Sequence, residues 1–141
     1  MRAAVSMVLG FALLAAARGE AGDITAGPGA FASAPAQAEE RALLKVLDAY
    51  VRAIEVKDVA LFRTVKPNLS QEEERRARKA FESVQSQTVV MTILSVEVEG
   101  GFASVKVGRR DTINKGIVSS FPQTFALEKA KDGWIIREIG R

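Results

Sequence analysis

Neither cysteine nor histidine occurs among the 141 residues of this sequence. Without cysteine the chain has no disulfide, no thiolate nucleophile and no lipid-bearing thiol. Without histidine it has no imidazole base, no Ser/His or Cys/His pair and no His-containing zinc site. A proton-transfer reaction would have to use a carboxylate as its base, and we expect neither a metal site nor a cofactor.

The sequence also lacks a cluster of like-charged residues. The net charge is +3, and basic residues alternate with acidic ones along the chain, whereas nucleic-acid-binding proteins concentrate Lys and Arg in a patch. The densest charged run, QEEERRARK over residues 71–79, places Glu72 and Arg76 four residues apart, the spacing of ion pairs on a helix surface. We predict a solvated helix face there and no nucleic-acid partner.

The N-terminus carries an apolar run, AAVSMVLGFALLAAA over residues 3–17, directly after Met1 and Arg2. A positive charge, an apolar stretch and a small-residue exit in this order are typical of a secretory signal. The run is short for a spanning helix, which needs about 20 apolar residues. We predict a signal peptide in residues 1–22 and an exported product, periplasmic or secreted, that meets a membrane only through that signal. An uncleaved N-terminal anchor is the alternative.

The rest of the chain divides into a linker and a domain. Residues 23–38 are rich in Ala, Gly and Pro without periodicity, which predicts a flexible linker. Residues 39–141 remain, about 100 residues, the size of an independently folding domain. A content of 48% hydrophobic and 26% charged residues is typical of a globular domain with one core.

Helical spacing dominates the first part of this domain. Asp58 can cap a second, shorter helix that ends before Pro67. Ser70 and Glu73 form a capping-box pattern at the start of a third helix. The first helix is indicated by apolar positions three and four residues apart, namely Leu43, Leu47, Tyr50, Val51 and Ile54.

The period changes to two after Gln87. Two strands are predicted, joined in a hairpin at Gly100 and Gly101. A third strand is predicted over residues 123–129 and a fourth over 134–139. On the first strand we expect Val90, Leu94, Val96 and Val98 to face the core, and on the second Ala103, Val105 and Val107.

Helices followed by an antiparallel meander predict an α+β fold, with the N-terminal helices packed on one face of a curved antiparallel sheet of about four strands. Three segments also resemble the nuclear transport factor 2-like, or SnoaL-like, superfamily, a cystatin-like α+β cone: LLKVLDAYVRAIEVKDVALFRTV, VEVEGGFASVKV and KDGWIIREI. The resemblance covers nearly all of residues 39–141. The superfamily includes ketosteroid isomerases, dehydratases, polyketide cyclases and non-catalytic binding or assembly domains, so the resemblance implies a fold rather than an activity.

One catalytic residue of the superfamily has a counterpart in this chain. Tyr50, in DAYVRAI, resembles the ketosteroid isomerase tyrosine that donates a hydrogen bond to a developing enolate. The isomerase base is an aspartate after the second helix, but here that region reads TVKPNLSQEEERR, and its acids belong to the capped third helix. A packing role for Tyr50 is the alternative, because a buried tyrosine usually keeps a hydroxyl partner without doing chemistry.

Strand alternation supplies the other polar candidates. If Val107 faces the helices, Arg109 and Asp111 share its face, and Gln123 on the third strand approaches the same end of the sheet. The alternative is an ordinary rim ion pair, turned outward by a bulge or a register shift. Glu138 shares the parity of the apolar positions in the fourth strand and is a weaker carboxylate candidate.

From these patterns we expect an exported, non-catalytic binding or assembly domain whose small apolar pocket, or whose sheet, takes a small apolar ligand or a protein partner. One alternative is a small isomerase or lyase in which Tyr50 polarises a carbonyl and Asp111 or Glu138 is the base. Another is a structural homodimer with a filled pocket. The residues predicted to line the pocket are Tyr50, Ile54, Phe62, Val107, Arg109, Asp111, Gln123 and Phe125.

Overall fold

A computed structural model describes residues 34–141, so the predicted signal peptide and residues 23–33 of the predicted linker lie outside the described residues. The first helix, α1, spans Ala34–Glu55 and begins five residues before the predicted domain start at Glu39. Pro35 is compatible with this start because the first turn of a helix needs no N–H from it. Glu39 fixes the helix to the sheet, since its carboxylate accepts a hydrogen bond from Trp134 Nε1 at 2.7 Å.

The second helix, α2, spans Val59–Val65. The chain turns into it through Lys57, whose φ of 58° is a left-handed conformation that ends α1. The Asp58 side chain accepts a hydrogen bond from the Leu61 N–H at 3.0 Å, which confirms the predicted cap.

The third helix, α3, spans Gln71–Ser83. Ser70 accepts a hydrogen bond from the Glu73 N–H at 3.1 Å, so the predicted helix start is confirmed. None of the residues of α3 is buried. Its far end is held by the Lys57 ammonium, which donates to the Val84 carbonyl. The helix is therefore fixed mainly at its two ends.

The sheet contains four antiparallel strands in the order β1-β2-β3-β4. They are β1 Gln87–Glu99, β2 Phe102–Ile113, β3 Ile117–Ala130 and β4 Gly133–Gly140. Gly100 turns the first hairpin with a φ of 61°, a conformation that favours glycine. The third strand begins six residues earlier than its apolar alternation predicts, because its first part is exposed on both faces and shows no period of two.

Two irregularities change which side chains face the helices. The register between β1 and β2 shifts between Ile93 and Ser95, which leaves Leu94 without a Cα partner. An extra residue reverses the alternation, so Val90 and Leu94 lie on the outer face, 56% and 49% exposed. The expectation that they face the core is wrong, whereas Val96, beyond the shift, is buried as expected.

A second shift lies between Ala126 and Leu127 of β3, opposite β4. Ala126 pairs with Glu138 and Leu127 with Ile136, so Arg137 is the extra residue of β4. The alternation that turns Trp134 and Ile136 toward the core therefore does not continue past Arg137. Glu138 is exposed, and Ile139 packs against the core in its place.

The core lies between the helices and the inner face of the sheet. Leu43, Leu47, Val105, Phe125 and Ile136 are almost wholly inaccessible. No helix among residues 34–141 has the length and apolar character needed to cross a membrane. The predicted α+β architecture, with helices packed on one face of a four-stranded antiparallel sheet, is confirmed.

Candidate functional site

Arg109 and Asp111 lie on the inner face of β2, two residues apart, where the alternation of the strand directs both side chains toward the helices. Arg109 Nε donates to Asp111 Oδ1 and Arg109 Nη2 donates to Asp111 Oδ2, each at 2.7 Å. Their exposed fractions are only 8% and 4%. The pair is a buried, bidentate ion pair, the geometry that the planar guanidinium favours.

Three further side chains complete this buried polar cluster. Arg109 Nη1 donates to the Tyr50 hydroxyl at 2.9 Å and to Gln123 Oε1 at 3.1 Å. Gln87 Nε2 donates to Asp111 Oδ2 at 2.7 Å. In the described part of the chain, no buried side-chain nitrogen or oxygen is left without a partner. The guanidinium of Arg109 thus occupies the space between the tyrosine hydroxyl and the aspartate carboxylate.

The electrostatics of the buried polar cluster stabilise the charged form of Arg109. Burial by itself works to lower the pKa of Arg109, but its hydrogen bonds and charge interactions with Asp111 and Tyr50 outweigh burial, and the net pKa is raised. A carboxylate that accepts bonds from a guanidinium and an amide is held in place by them. The arrangement fixes charges in position, with the Arg109 guanidinium between the Tyr50 hydroxyl and the Asp111 carboxylate.

Aromatic rings enclose the cluster. The Tyr50 ring makes edge contacts with Phe62 and Phe125, with centroids 5.7 and 5.2 Å away. The Arg109 guanidinium lies 5.2 Å from the centroid of Phe121, and the guanidinium of Arg141 lies 4.8 Å from the same ring. Edge contacts and cation–π contacts of this kind add to apolar burial in holding the rings.

The structure therefore brings together most of the residues predicted to line a pocket. Ile54 and Val107 belong to the same core, but they are apolar packing residues. Glu138 does not join this arrangement, because the extra residue in β4 pairs it with Ala126 and leaves it exposed. The residues connected by these hydrogen bonds and ring contacts are Tyr50, Phe62, Arg109, Asp111, Gln123 and Phe125. Their role as the lining of a ligand pocket stays a prediction.

Sequence reasoning missed Gln87, the amide partner of Asp111. The signal was available in strand alternation, since Gln87 is two residues from the buried Val89. It was obscured because the parity of Val96 and Val98, which lie beyond the shift, was assigned to the whole of β1 and so placed Val90 and Leu94 inward instead of Gln87 and Val89.

An open groove lies outside the buried polar cluster, between α2, α3 and β4. We call it the α2–α3–β4 groove. Its volume is about 480 Å³, within the range of small-molecule sites. Phe62, Leu69 and Ile139 are its apolar residues. Its polar residues are Lys66, Asn68, Glu73, Arg76, Arg137 and Glu138.

Lys66 is the one buried lysine among residues 35–141, at 8% exposure. Its ammonium donates to Asn68 Oδ1 at 3.2 Å and to Glu73 Oε1 at 3.1 Å. Asn68 is itself fixed, since its amide donates to the Arg137 carbonyl at 3.2 Å. The hydrogen bond from Lys66 is the largest cause of a lowered pKa at Glu73. Sequence reasoning missed Lys66 because its burial depends on how α3 folds back over the end of α2.

The outer face of the sheet presents a different kind of surface. Val90, Leu94 and Val118 are exposed there, and the register places Val90 in line with Arg110 and Ser120 on the next two strands. Large exposed apolar side chains on one face of a sheet are typical of interaction surfaces. Among residues 34–141, no group of three or more acidic side chains is placed to hold a metal ion.

Solved structures share this fold at low sequence identity. Kfla4162 from Kribbella flavida superposes with a TM-score of 0.66 at 12% identity, over 74% of this chain and 89% of its own. A Streptomyces avermitilis protein, a proposed dehydratase from the NTF2-like family, gives 0.61 at 14% identity, over 73% of this chain and 94% of its own. Bd1075 from Bdellovibrio bacteriovorus gives 0.62 at 15% identity over 71% of this chain, which spans only 38% of Bd1075.

No protein-family model matches the sequence, and no curated protein matches it significantly. Identities this low carry information on the fold alone. The chain has the nuclear transport factor 2-like α+β cone, and the expected resemblance is confirmed at that level. The activity proposed for the Streptomyces protein belongs to that protein.

Proposed function

We propose that this nuclear transport factor 2-like cone is an exported, non-catalytic binding domain that takes a small apolar ligand in the α2–α3–β4 groove. The observation that carries the proposal is the position of the Arg109 guanidinium, which fills the space between Tyr50 and Asp111. Enzymes need a convergent acid and base with room for the substrate between them. An open volume of about 480 Å³ lies beside Phe62, Leu69 and Ile139.

The hydrogen bonds of the buried polar cluster argue against the isomerase or lyase alternative. The Tyr50 hydroxyl accepts a bond from Arg109, and both oxygens of Asp111 accept bonds from Arg109 or Gln87. A substrate carbonyl at Tyr50 would have to displace a guanidinium that makes four side-chain hydrogen bonds. The other base candidate, Glu138, is exposed, because the extra residue in β4 breaks the alternation that would have turned it toward the helices.

Export is the part of the proposal that rests on sequence alone. Residues 1–22 have the order of charge, apolar stretch and small residues that signal peptides share. A domain without cysteine cannot be stabilised by disulfides in the oxidising conditions outside the cytoplasm. It must be stabilised there by its packed core and by the buried polar cluster.

A second candidate function is assembly through the outer face of the sheet, as a homodimer or with a protein partner. It is favoured by the exposure of Val90, Leu94 and Val118 on that face. Sedimentation of the native protein and of Leu94→Lys tests it. A dimer that Leu94→Lys converts to a monomer supports assembly, and a native protein that sediments as a monomer at all concentrations contradicts self-association.

The binding proposal is tested with a neutral apolar probe, 1-octanol, in an NMR titration. We expect the amide shifts to concentrate at Leu69 and Ile139 and to leave Gln123 unchanged. Leu69→Asn should abolish the shifts. Leu61→Asn is the matched control, because Leu61 is also half-buried but does not line the groove. Shifts that concentrate at Tyr50 and Gln123, or a titration without shifts, would contradict the proposal.

A further inference from the structure

We propose that the ligand of the α2–α3–β4 groove is an amphiphilic carboxylate, whose anionic group binds the Lys66 ammonium in place of Glu73 and whose apolar part lies on Phe62, Leu69 and Ile139. This inference rests on the proposed function and names the chemical class of its ligand. Its first support is the burial of Lys66. Lysine is rarely buried unless its charge is paired, because desolvation of an ammonium is costly.

The carboxylate that offsets the desolvation of the Lys66 ammonium is held weakly. Glu73 reaches Lys66 from α3 with a side chain that is 44% exposed, and none of the residues of α3 is buried. Exchange of the Glu73 carboxylate for another carboxylate would therefore keep the charge pairing of Lys66 and disturb little packing. Glu73 marks the chemistry of the site, since its carboxylate already occupies the position that we assign to the ligand.

A second cation lies on the same side of α3. Arg76 follows Glu73 by three residues, a spacing that puts two side chains on one helix face, and both line the groove. Arg76 Nε lies 3.9 Å from Glu72 Oε2, the outer limit of an ion pair, and its side chain is 70% exposed. Its guanidinium is available to the second oxygen of a ligand carboxylate, a group that it binds well.

The apolar residues of the groove indicate the rest of the ligand. The groove is lined by the ring of Phe62 and by the aliphatic side chains of Leu69 and Ile139. Ile139 also packs against the core. A hydrocarbon chain or ring placed on them leaves water while its carboxylate stays at the charged rim. A volume of about 480 Å³ accommodates a medium-chain acid.

Calorimetric titrations with octanoate and 1-octanol separate the contribution of the charge to the binding affinity from that of the hydrocarbon. The native protein should bind octanoate about tenfold more tightly than the alcohol, because a carboxylate held by Lys66 and Arg76 together makes one more charge-assisted hydrogen bond than Glu73 makes with Lys66. Lys66→Met keeps most of the apolar stem and should remove this preference. Glu73→Gln removes the internal competitor and should tighten octanoate binding severalfold without affecting the alcohol. Lys79→Met, an exposed change on α3 outside the groove, is the control and should bind as the native protein does.

The outcomes distinguish this inference from the proposed function. Equal affinity for octanoate and 1-octanol in the native protein overturns the carboxylate assignment and leaves the groove as an apolar site. A native protein that binds neither overturns both. If Lys66→Met does not fold, the Glu73→Gln variant tests the inference by itself. Tighter octanoate binding by this variant is expected only if the ligand displaces the Glu73 carboxylate in the native protein. Unchanged or weaker octanoate binding by Glu73→Gln contradicts the inference.

Discussion

At the scale of single residues, the buried polar cluster links the first helix to two strands through the guanidinium of Arg109. A buried ion pair contributes modestly relative to an apolar pair of similar volume, but losing one member leaves an unpaired charge in the core. The Arg109–Asp111 pair therefore helps to hold α1 over the sheet, because Arg109 also donates a hydrogen bond to the hydroxyl of Tyr50 on α1. Both carboxylate oxygens of Asp111 accept hydrogen bonds within the cluster.

Asp111→Ala should lower the free energy of unfolding by about 3–5 kcal/mol, because it leaves the Arg109 guanidinium buried without its partner. Replacing both residues, with Arg109→Met and Asp111→Ala together, should cost less than Asp111→Ala alone. Chemical denaturation measures both values. Asp132→Ala, an exposed position in the β3–β4 turn, is the control and should change stability little. A double variant less stable than the single one would contradict this account.

At the scale of elements, α3 is attached by charge and capping rather than by a buried face. Its contacts include the Ser70 cap, the Lys66–Glu73 pair and an ion pair between Arg63 and Glu74. Helices without buried residues open at low cost. The α2–α3–β4 groove is thus bounded on one side by an element that can shift without disturbing the core.

The lowered pKa of Glu73 predicts how the stability of α3 depends on pH. A carboxylate whose pKa is lower in the folded state contributes stability above its unfolded pKa, and this is lost as the pH falls through the folded pKa. Protection of the α3 amides from exchange should therefore weaken as the pH falls below the ordinary range of glutamate, because the hydrogen bond from Lys66 is lost. In Glu73→Gln this dependence should be reduced. Identical pH profiles for the two proteins would contradict the pairing of Glu73 with Lys66.

The elements also show how far the sequence predicts this fold. Alternation along β2 correctly places Val105, Val107, Arg109 and Asp111 on one face, because β2 has no extra residue within that stretch. The extra residues at Leu94 and Arg137 could not be predicted, since neither position is a glycine that would mark a bulge. The burial of Lys66 depends on contacts between distant segments.

At the scale of the whole molecule, we propose a division of roles between the predicted signal peptide and the folded domain. In this proposal the first apolar run directs export, and residues 34–141 fold around a packed core in which no buried side-chain nitrogen or oxygen lacks a partner.

Intact-mass measurement of the exported protein tests this division. The mature chain should lack its first 17 to 22 residues, because a small-residue cleavage site follows the apolar run. Arg2→Glu should slow export, since it reverses the charge that precedes this run. Recovery of the full-length chain from the soluble cytoplasm would contradict export, and a full-length chain in the membrane would favour the uncleaved anchor.

The central claim is that ligand binds in the α2–α3–β4 groove while the space between Tyr50 and Asp111 stays closed. A crystal structure of the protein grown with octanoate tests it most directly. We expect ligand density along Phe62 and Leu69, a carboxylate near Lys66, and hydrogen bonds between Arg109 and Asp111 as close as the present 2.7 Å. Ligand density between Tyr50 and Asp111, with the Arg109 guanidinium displaced, would contradict the account and favour the catalytic alternative.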